Sequence, residues 1–192
     1  MIEYGKINSL RVVKVGDSGI TLDGGELGKI ILPSKEVHPR CVVGDYLNVF
    51  IYIDSKDQAV VTTRMPYVEA GRFALLKVVS SNSYGAFLEW GLEQDLRVSA
   101  KEQQKRMRQG QSYIVYVYND KKNRITASSR LTKIIKDLDV DFREGQRVDL
   151  VIGDITPMGY RAIINGTHIG VIYKNEVFQL LQPGQAIKGY IK

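Results

Sequence analysis

Residues 72–103 read RFALLKVVSSNSYGAFLEWGLEQDLRVSAKEQ, and this stretch decides the fold class. Its aliphatic and aromatic runs are short, and groups of Ser, Asn, Gly and Asp, which favour turns, separate them. Three strands are predicted here, over 72–80, 86–90 and 96–98. Two more are predicted over 112–118 and 124–128, and the polar residues 101–110 before them are long enough for a turn or two of helix.

Five strands within roughly 65 residues, with a helical turn between the third and fourth, suit a small five-stranded barrel of the OB type. A chain of small antiparallel sheets with another topology, such as SH3-like barrels, is the alternative that the pattern leaves open. Both readings predict an all-β protein.

The stretch is one copy of an internal repeat, and repeats indicate tandem units. Moving the sequence by 66 residues superimposes the first unit on the second without gaps, and turn glycines and strand residues coincide. Matching pairs include Gly5 and Gly71, Leu10 and Leu76, Gly19 and Gly85, Lys35-Glu36 and Lys101-Glu102, and Asp54 and Asp120.

A third copy appears at a shift of 74, where Gly145 matches Gly71 and Gly159 matches Gly85. It reaches Lys192, the equivalent of Tyr118, so a counterpart of residues 119–130 is missing. We expect that the chain is a fragment, or that something else completes the third unit. The sequence thus predicts tandem OB-fold barrels over 1–65 and 66–131, a linker over 132–141, and a truncated third barrel over 142–192.

The composition excludes several classes of protein. With 44% hydrophobic and 25% charged residues, the 192-residue chain resembles ordinary globular domains and not a collagen-like or disordered chain. Its single cysteine, Cys41, cannot form an internal disulfide, which favours a reducing compartment. No apolar run approaches the roughly 18–20 residues of a membrane span. We therefore expect a cytoplasmic protein that does not associate with membranes.

Residues suited to catalysis are sparse. His38 and His168 lie in different units without the carboxylate spacing of a metal site. Cys41 has no partners that would activate a nucleophile, and such a cysteine is usually a core residue. No phosphate-binding glycine loop or dinucleotide motif occurs. We predict no catalytic residue, no metal site and no cofactor, and we expect that the protein is not an enzyme.

The positive charge is concentrated in the second unit. Residues 1–65 hold 8 basic and 8 acidic side chains, residues 66–131 hold 11 and 6, and residues 132–192 hold 8 and 7. The second unit therefore carries nearly all of the net charge of +6. A basic track beside a sheet with aromatic side chains is what single-stranded nucleic acid requires, because cations meet phosphates and rings stack on bases. Four of the cations follow the third predicted strand: Lys101, Lys105, Arg106 and Arg108.

Residues 84–103 (YGAFLEWGLEQDLRVSAKEQ) resemble the second and third strands of S1 RNA-binding domains, and 116–131 (YVYNDKKNRITASSRL) resemble the strand, D-x-x-x-R turn and strand that end such domains. The resemblance covers essentially the whole chain and is strongest in the second unit. The triple arrangement is similar to the conserved virulence factor B (CvfB/YitL) group of bacterial proteins. Resemblance to that group implies tandem S1-type domains followed by a winged helix.

The S1 resemblance also implies which residues contact RNA. The family uses two aromatics on strand 2, a His on strand 3, and an Asp and an Arg from the turn before strand 5. The matching residues here are Tyr84, Phe87, Arg97, Asp120 and Arg124. Arg97 replaces the usual His, and its planar guanidinium can stack on a base and bind phosphate.

Two details of this set are open. Strict alternation would place Tyr84 and Phe87 on opposite faces, so a shared face requires a bulge at Gly85 or a strand that begins after it. Asp120 repels phosphate, so we expect it to orient Arg124 or to hydrogen-bond a base edge or a ribose hydroxyl.

The other two units depart from the pattern. The first has neither a ring nor a cation at these positions, and we expect it to be a structural or partner-docking copy. The third keeps one cation, which is predicted to reach a phosphate. The matching residues are Ser18, Thr21, Ile31, Asp54 and Gln58 in the first unit and Met158, Arg161 and Val171 in the third.

The leading hypothesis is an RNA-binding regulatory protein whose second unit holds single-stranded RNA. The alternative is a protein-interaction module in which the barrels are spacers or docking surfaces and bind no nucleic acid. DNA binding is a third hypothesis, and it depends mainly on the winged helix that the resemblance implies beyond Lys192. The sequence leaves the RNA target, the base preference and the oligomeric state open.

Overall fold

The computed structural model describes residues 1–38 and 40–192 and contains three β-sheets. One α-helix, α1 (Leu131–Ile135), lies between the second and third sheets in this part of the chain. In the described part of the chain, no helix has the length and apolar character needed to cross a membrane. The strands are β1 (Lys6–Gly16), β2 (Gly19–Asp23), β3 (Lys29–Pro33), β4 (Tyr46–Ile53), β5 (Ala59–Thr62), β6 (Arg72–Ser81), β7 (Gly85–Leu88), β8 (Leu96–Ser99), β9 (Ser112–Asn119), β10 (Ile125–Ser128), β11 (Arg147–Ile155), β12 (Gly159–Ile164), β13 (His168–Tyr173) and β14 (Ala186–Tyr190).

The three sheets repeat one strand order. It is β3-β2-β1-β4-β5 in the first barrel, β8-β7-β6-β9-β10 in the middle barrel, and β13-β12-β11-β14 in the third unit. The third order is that of the first two without its last strand. The predicted all-β class, the two five-stranded OB-like units and the incomplete third sheet are confirmed.

The first strand of each complete barrel changes partner halfway along its length. In the middle barrel, β6 pairs with β9 over Arg72–Lys77 and with β7 from Val78 onward. The register shifts at this point, since Val78 opposes Leu88 whereas Ser80 opposes Phe87. Val79 is thus a bulged residue, and a bulge bends and twists a strand enough for it to join two parts of a barrel.

Hydrogen bonds at repeated positions close the barrels. In the middle barrel the amide of Ser129 donates to the carbonyl of Glu102 at 2.9 Å, just after β10. In the first barrel the hydroxyl of Thr63 donates to the carbonyl of Glu36 at 2.7 Å. Both acceptors end short 3₁₀ helices, Ser34–Glu36 and Ala100–Glu102, which lie at matching positions of the repeat.

Each sheet encloses its own core. In the middle barrel Leu88, Val98 and Val115 are fully buried, and Trp90 and Met107 are 1% exposed. By spatial proximity the chain forms two compact units, and the predicted boundaries 1–65, 66–131 and 142–192 stay a prediction. One unit comprises Met1–Ala70, Gly91–Gln94 and Tyr118–Thr126, and the other comprises Gly71–Trp90, Asp95–Val117 and Ala127–Lys192.

The predicted linker over 132–141 is packed. Ile134, Ile135 and Leu138, in and after α1, contact an apolar cluster that contains Phe73 and Ile163. The cluster joins residues of the middle sheet to residues of the third sheet within one compact unit. The predicted linker therefore contributes buried apolar surface, which stabilises the unit.

The connection after β8 is helical only at its start. A 3₁₀ helix covers Ala100–Glu102, and residues 103–110 are irregular. The side chain of Gln103 donates to the carbonyl of Val98 at 3.3 Å and accepts from the amide of Met107 at 2.8 Å. These bonds hold the chain in a loop that buries Met107, and they replace the backbone bonds of a second helical turn.

Candidate nucleic-acid interface

Phe87 and Arg97 lie side by side on the outer face of the middle sheet. On β7, Ala86 and Leu88 point into the core and are fully buried, whereas Phe87 between them is half-buried. Phe87 is the direct cross-strand partner of Arg97, which is exposed on β8. Cross-strand partners have Cβ atoms about 4.5–5.5 Å apart, so the ring and the guanidinium share one surface.

Tyr84 extends this surface from the turn before β7. Its side chain is 77% exposed. Its amide donates to Oδ1 of Asn82 at 2.9 Å, and its carbonyl accepts from the amide of Ala100 at 3.1 Å, so the turn is fixed at both ends. Strand β7 begins at Gly85, and strand alternation therefore does not relate Tyr84 to Phe87.

A shared face for Tyr84 and Phe87 was predicted to require a bulge at Gly85 or a strand that begins after it. The strand begins at Gly85, and the bulge lies on the neighbouring strand at Val79. The adjacent valines Val78-Val79 match Val12-Val13 in the first unit, and in both pairs the first valine is buried and the second is about 40% exposed. The register of β1 also shifts between Val12 and Lys14, so the bulge is a repeated feature of the first strand of both barrels.

The four cations after β8 form an exposed cationic loop, defined here as residues 101–108. Met107, buried in the barrel core, anchors it. The amide of Arg108 donates to the hydroxyl of Tyr113 at 3.0 Å, which fixes the far end. The loop begins directly after Ala100, whose amide donates to the carbonyl of Tyr84, so its positive charge begins beside the aromatic surface. The exposed cations are Lys101, Lys105, Arg106 and Arg108.

Asp120 and Arg124 form a closely bonded pair. Oδ2 of Asp120 accepts from Nε of Arg124 at 2.9 Å and lies 2.7 Å from Nη2. Oδ1 accepts from the amides of Lys122 and Arg124 at 2.8 and 3.1 Å, which stabilises the turn. Burial would raise the pKa of Asp120, but the hydrogen bonds from Arg124 and Lys122 outweigh it and the pKa is lowered. Asp120 is thus ionised and orients Arg124.

A second carboxylate also faces this guanidinium. Oδ1 of Asp57, in the turn between β4 and β5, lies 3.7 Å from Nε of Arg124. Ile53 at the end of β4 forms a β-bridge with Arg124 in the same compact unit. A phosphate that bound Arg124 would compete with two acids for it. The sequence did not predict Asp57 here, because no local pattern links residues so far apart in the chain.

The predicted contact residues fall into two sets. Tyr84, Phe87 and Arg97 belong to one compact unit, and Asp120 and Arg124 belong to the other. Within each set the structure brings the side chains together. The turn that holds Asp120 and Arg124 is mainly a structural feature of the repeat. In the first barrel Asp54, the counterpart of Asp120, likewise accepts hydrogen bonds from the backbone amides two and four residues later, at 2.8 and 2.9 Å.

Arg161 occupies the position of Phe87 in the third unit. It is the cross-strand partner of Val171, and its Nη1 lies 3.5 Å from Oδ1 of Asp154. No aromatic ring takes the place of Tyr84, where Met158 is 59% exposed. The third unit therefore has one partly neutralised cation and no ring at the positions of Tyr84, Phe87 and Arg97, and its nearest exposed ring on this face is Tyr173, two residues from Val171 on β13.

Cys41 is a partly buried residue at the margin of the first barrel core. It packs against the buried aliphatic cluster of that barrel. Burial, followed by the nearby Asp45, raises the pKa of its thiol, which opposes formation of the nucleophilic thiolate. Among residues 1–38 and 40–192, no group of three or more His, Cys, Asp or Glu side chains is arranged to hold a metal ion.

Comparisons with known proteins agree with this architecture. The S1 domain family model matches residues 4–64 and 70–130. The chain is 25% identical over 158 residues to the uncharacterized protein YitL of Bacillus subtilis (strain 168), covering 80% of this chain and 51% of that protein. It thus spans about half the length of this relative.

A solved structure resembles the whole chain. It is a multidomain protein with nucleic acid binding domains from Streptococcus pneumoniae TIGR4, with a TM-score of 0.56 and 18% identity over 98% of this chain and 68% of that one. At this identity the likeness concerns the fold. The predicted S1 and YitL resemblance is confirmed, and the two matched segments include every strand of the two complete barrels. The chain belongs to the S1 domain family.

Proposed function

We propose that this chain binds single-stranded RNA on the outer face of the middle barrel. Tyr84 and Phe87 stack on bases, and Arg97 stacks on a base or contacts phosphate. The cationic loop contacts the RNA backbone on one side of this surface. Membership of the S1 family and the nucleic acid binding domains of the pneumococcal neighbour support a nucleic acid as the ligand. The exposed ring faces favour single strands, whose unstacked bases can reach them.

One observation carries the proposal: an outward-facing ring, Phe87, directly opposite an exposed cation, Arg97. The same positions hold Thr21 and Ile31 in the first barrel and Arg161 and Val171 in the third unit. Only the middle barrel, among the described residues, combines ring and cation there. We infer that the middle barrel is the principal RNA site and that Arg161 adds a secondary phosphate contact.

Asp120 and Arg124 have a supporting role in this proposal. Asp120 orients Arg124, and Arg124 reaches phosphate only at the expense of its contact with Asp57. The chain acts by binding and not by catalysis, as a regulatory RNA-binding protein in the cytoplasm.

The repeat supplies a matched test of the cationic loop. Lys35 and Arg40 in the first barrel are the repeat counterparts of Lys101 and Arg106. The variant Lys101→Ala/Arg106→Ala is expected to bind single-stranded RNA more weakly and to lower the slope of log K against log salt by about 1.4, because each phosphate contact on a single strand contributes about 0.7. Fluorescence anisotropy with a labelled oligonucleotide across a salt series measures this slope.

The control is Lys35→Ala/Arg40→Ala, which removes the same charge from the first barrel. It is expected to leave the slope within about 0.3 of the unmodified chain, since it removes no direct phosphate contact. Equal losses in the two variants would show that net charge alone drives binding, and the middle-barrel assignment would then be rejected.

A further inference from the structure

Three side chains form a line across the outer face of the middle sheet, called the outer row below. Ser80 on β6 is the cross-strand partner of Phe87 on β7, and Phe87 is the partner of Arg97 on β8. Directly paired residues of an antiparallel sheet point to the same face, so a hydroxyl, a ring and a cation stand next to one another. All three belong to one compact unit. Ser80 is exposed, and it has no part in the stacking and phosphate contacts proposed above.

The bulge on β6 is what turns Ser80 outward. Val78 pairs with the buried Leu88 and points into the core, whereas Ser80 pairs with Phe87. In a regular strand two residues this far apart would face the same side, and Ser80 would then point inward. The additional residue at Val79 interrupts the alternation. The bulge therefore adds a hydroxyl to the surface on which bases are proposed to stack.

The hydroxyl of Ser80 is available to a ligand. Its side chain has no hydrogen-bond partner in the part of the chain that the structure describes. Asn82 in the following turn is committed by contrast, because its Oδ1 accepts from the amides of Tyr84 and Gly85 at 2.9 and 3.1 Å. A hydroxyl both donates and accepts, so it can pair with a carbonyl, a ring nitrogen or an amino group on the edge of a base.

The order of the outer row predicts how a nucleotide lies across it. Arg97 and the start of the cationic loop are both on the β8 side of Phe87, and positive charge attracts the phosphates to that side. A base stacked on Phe87 then has its backbone towards β8 and its hydrogen-bonding edge towards β6. Neighbouring strands lie about 4.7–4.9 Å apart, so this edge comes within reach of the Ser80 hydroxyl.

The other two units have different side chains in this row. In the first barrel it consists of Lys14, Thr21 and Ile31, with the cation on the first strand and no ring. In the third unit the counterpart of Ser80 is Asp154, which pairs with Arg161. Among the described residues, a hydroxyl, a ring and a cation therefore occur in this order in the middle barrel alone.

We propose that Ser80 contacts the edge of the base that stacks on Phe87 and gives the middle barrel a base preference. This inference rests on the proposed RNA site, to which it adds a residue that discriminates between bases. Stacking and phosphate contacts tolerate every base, so they provide affinity without sequence preference. A hydrogen bond to the base edge distinguishes bases because each base presents different donors and acceptors there.

Ser80→Ala tests this role, because it removes the hydroxyl and keeps the ring and the cation. Fluorescence anisotropy measures the affinities for labelled oligo(U), oligo(C) and oligo(A) of about eight nucleotides. For the unmodified chain the strongest and weakest affinities are expected to differ by at least about 5-fold. In Ser80→Ala this ratio is expected to fall about 5-fold, the effect of one hydrogen bond, while the weakest affinity changes by less than about twofold.

Two further variants are controls. Ser81→Ala removes the same group from the next residue, which pairs with the buried Ala86 and so belongs to the other face of β6. It is expected to leave the ratio unchanged. Ser80→Thr keeps a hydroxyl at the same place and is expected to retain the preference. Ser80 and Ser81 are both exposed, so none of these substitutions opens the core.

Equal affinities of the unmodified chain for the three oligonucleotides, an unchanged ratio in Ser80→Ala, or an equal loss in Ser81→Ala would overturn the proposal. Matching DNA oligonucleotides provide a further arm. If Ser80→Ala weakened RNA binding equally for every base and left DNA binding unaffected, the hydroxyl would contact the ribose 2′-hydroxyl, and base reading would be rejected. In all of these outcomes the chain still binds RNA, so the proposed function stands. Absence of binding to every oligonucleotide would reject both.

Discussion

Replacing both Tyr84 and Phe87 with alanine is expected to weaken the binding of single-stranded RNA by at least about 30-fold. Stacking of a base on an aromatic side chain contributes about 1–3 kcal/mol, so two rings contribute about 2 kcal/mol or more, and 1.4 kcal/mol corresponds to tenfold in affinity. Tyr84 is 77% exposed and Phe87 faces outward from β7, so both rings can be removed without opening the core.

The control for this variant is Tyr46→Ala in the first barrel. Tyr46 is 70% exposed, as Tyr84 is, but it lies outside the proposed surface. Its removal is expected to change the affinity by less than about twofold, since no base stacks on it. Unchanged binding by the Tyr84→Ala/Phe87→Ala variant, with a thermal unfolding midpoint close to that of the unmodified chain, would eliminate this surface as the RNA site.

Replacing Trp90 with alanine is expected to lower the free energy of unfolding by about 3–5 kcal/mol, the usual cost of truncating a buried tryptophan. Trp90 follows β7 closely in sequence and is 1% exposed, so its loss leaves a large cavity. Because domains are typically stable by only about 5–15 kcal/mol, much of the stability is removed. Urea unfolding followed by circular dichroism measures the change.

Tyr84→Ala serves as the comparison, because this ring is exposed and only six residues from Trp90 in the sequence. Its unfolding free energy is expected to stay within about 0.5 kcal/mol of that of the unmodified chain. If Trp90→Ala lowered the free energy of unfolding only slightly, the indole would not stabilise the core to the extent that its burial indicates. The pair thus separates an aromatic residue that maintains the barrel from one that is proposed to bind RNA.

The strand pattern and the repeat were predictable from the sequence because both depend on local order. Turn residues and short apolar runs placed β6 and β9 within a residue or so of their observed ends. The repeat also identified the strand missing from the third unit, since β14 has no counterpart of β10 after it. Residue type alone identified the exposed cations of residues 101–108.

Features that depend on contacts between distant segments were not predictable. The contact of Asp57 with Arg124 joins turns that lie in different sequence repeats but in one compact unit, and no spacing within either turn indicates it. The packing of Ile134 and Leu138 against Phe73 likewise requires the folded arrangement. The register shift at Val79, which recurs at Val13 in the first barrel, likewise depends on how neighbouring strands pair.

The three units show how one scaffold acquires different surfaces. Positions that close the barrel are retained, as with Glu36, Glu102 and Glu176. The outward position on the second strand changes instead, from Thr21 to Phe87 to Arg161. Core and closing positions are constrained by packing and hydrogen bonds, whereas an outward position is free to serve binding.

The central claim is that the chain binds single-stranded RNA through phosphate contacts and stacking. Its most direct test is the affinity of the unmodified chain for a labelled polypyrimidine RNA, compared with an RNA duplex, across a salt series. If four loop cations contact phosphates, log K is expected to fall against log salt with a slope of about −3, and the duplex is expected to bind more weakly because its bases are already stacked. Absence of binding at low salt, or equal affinity for the duplex, would contradict the account.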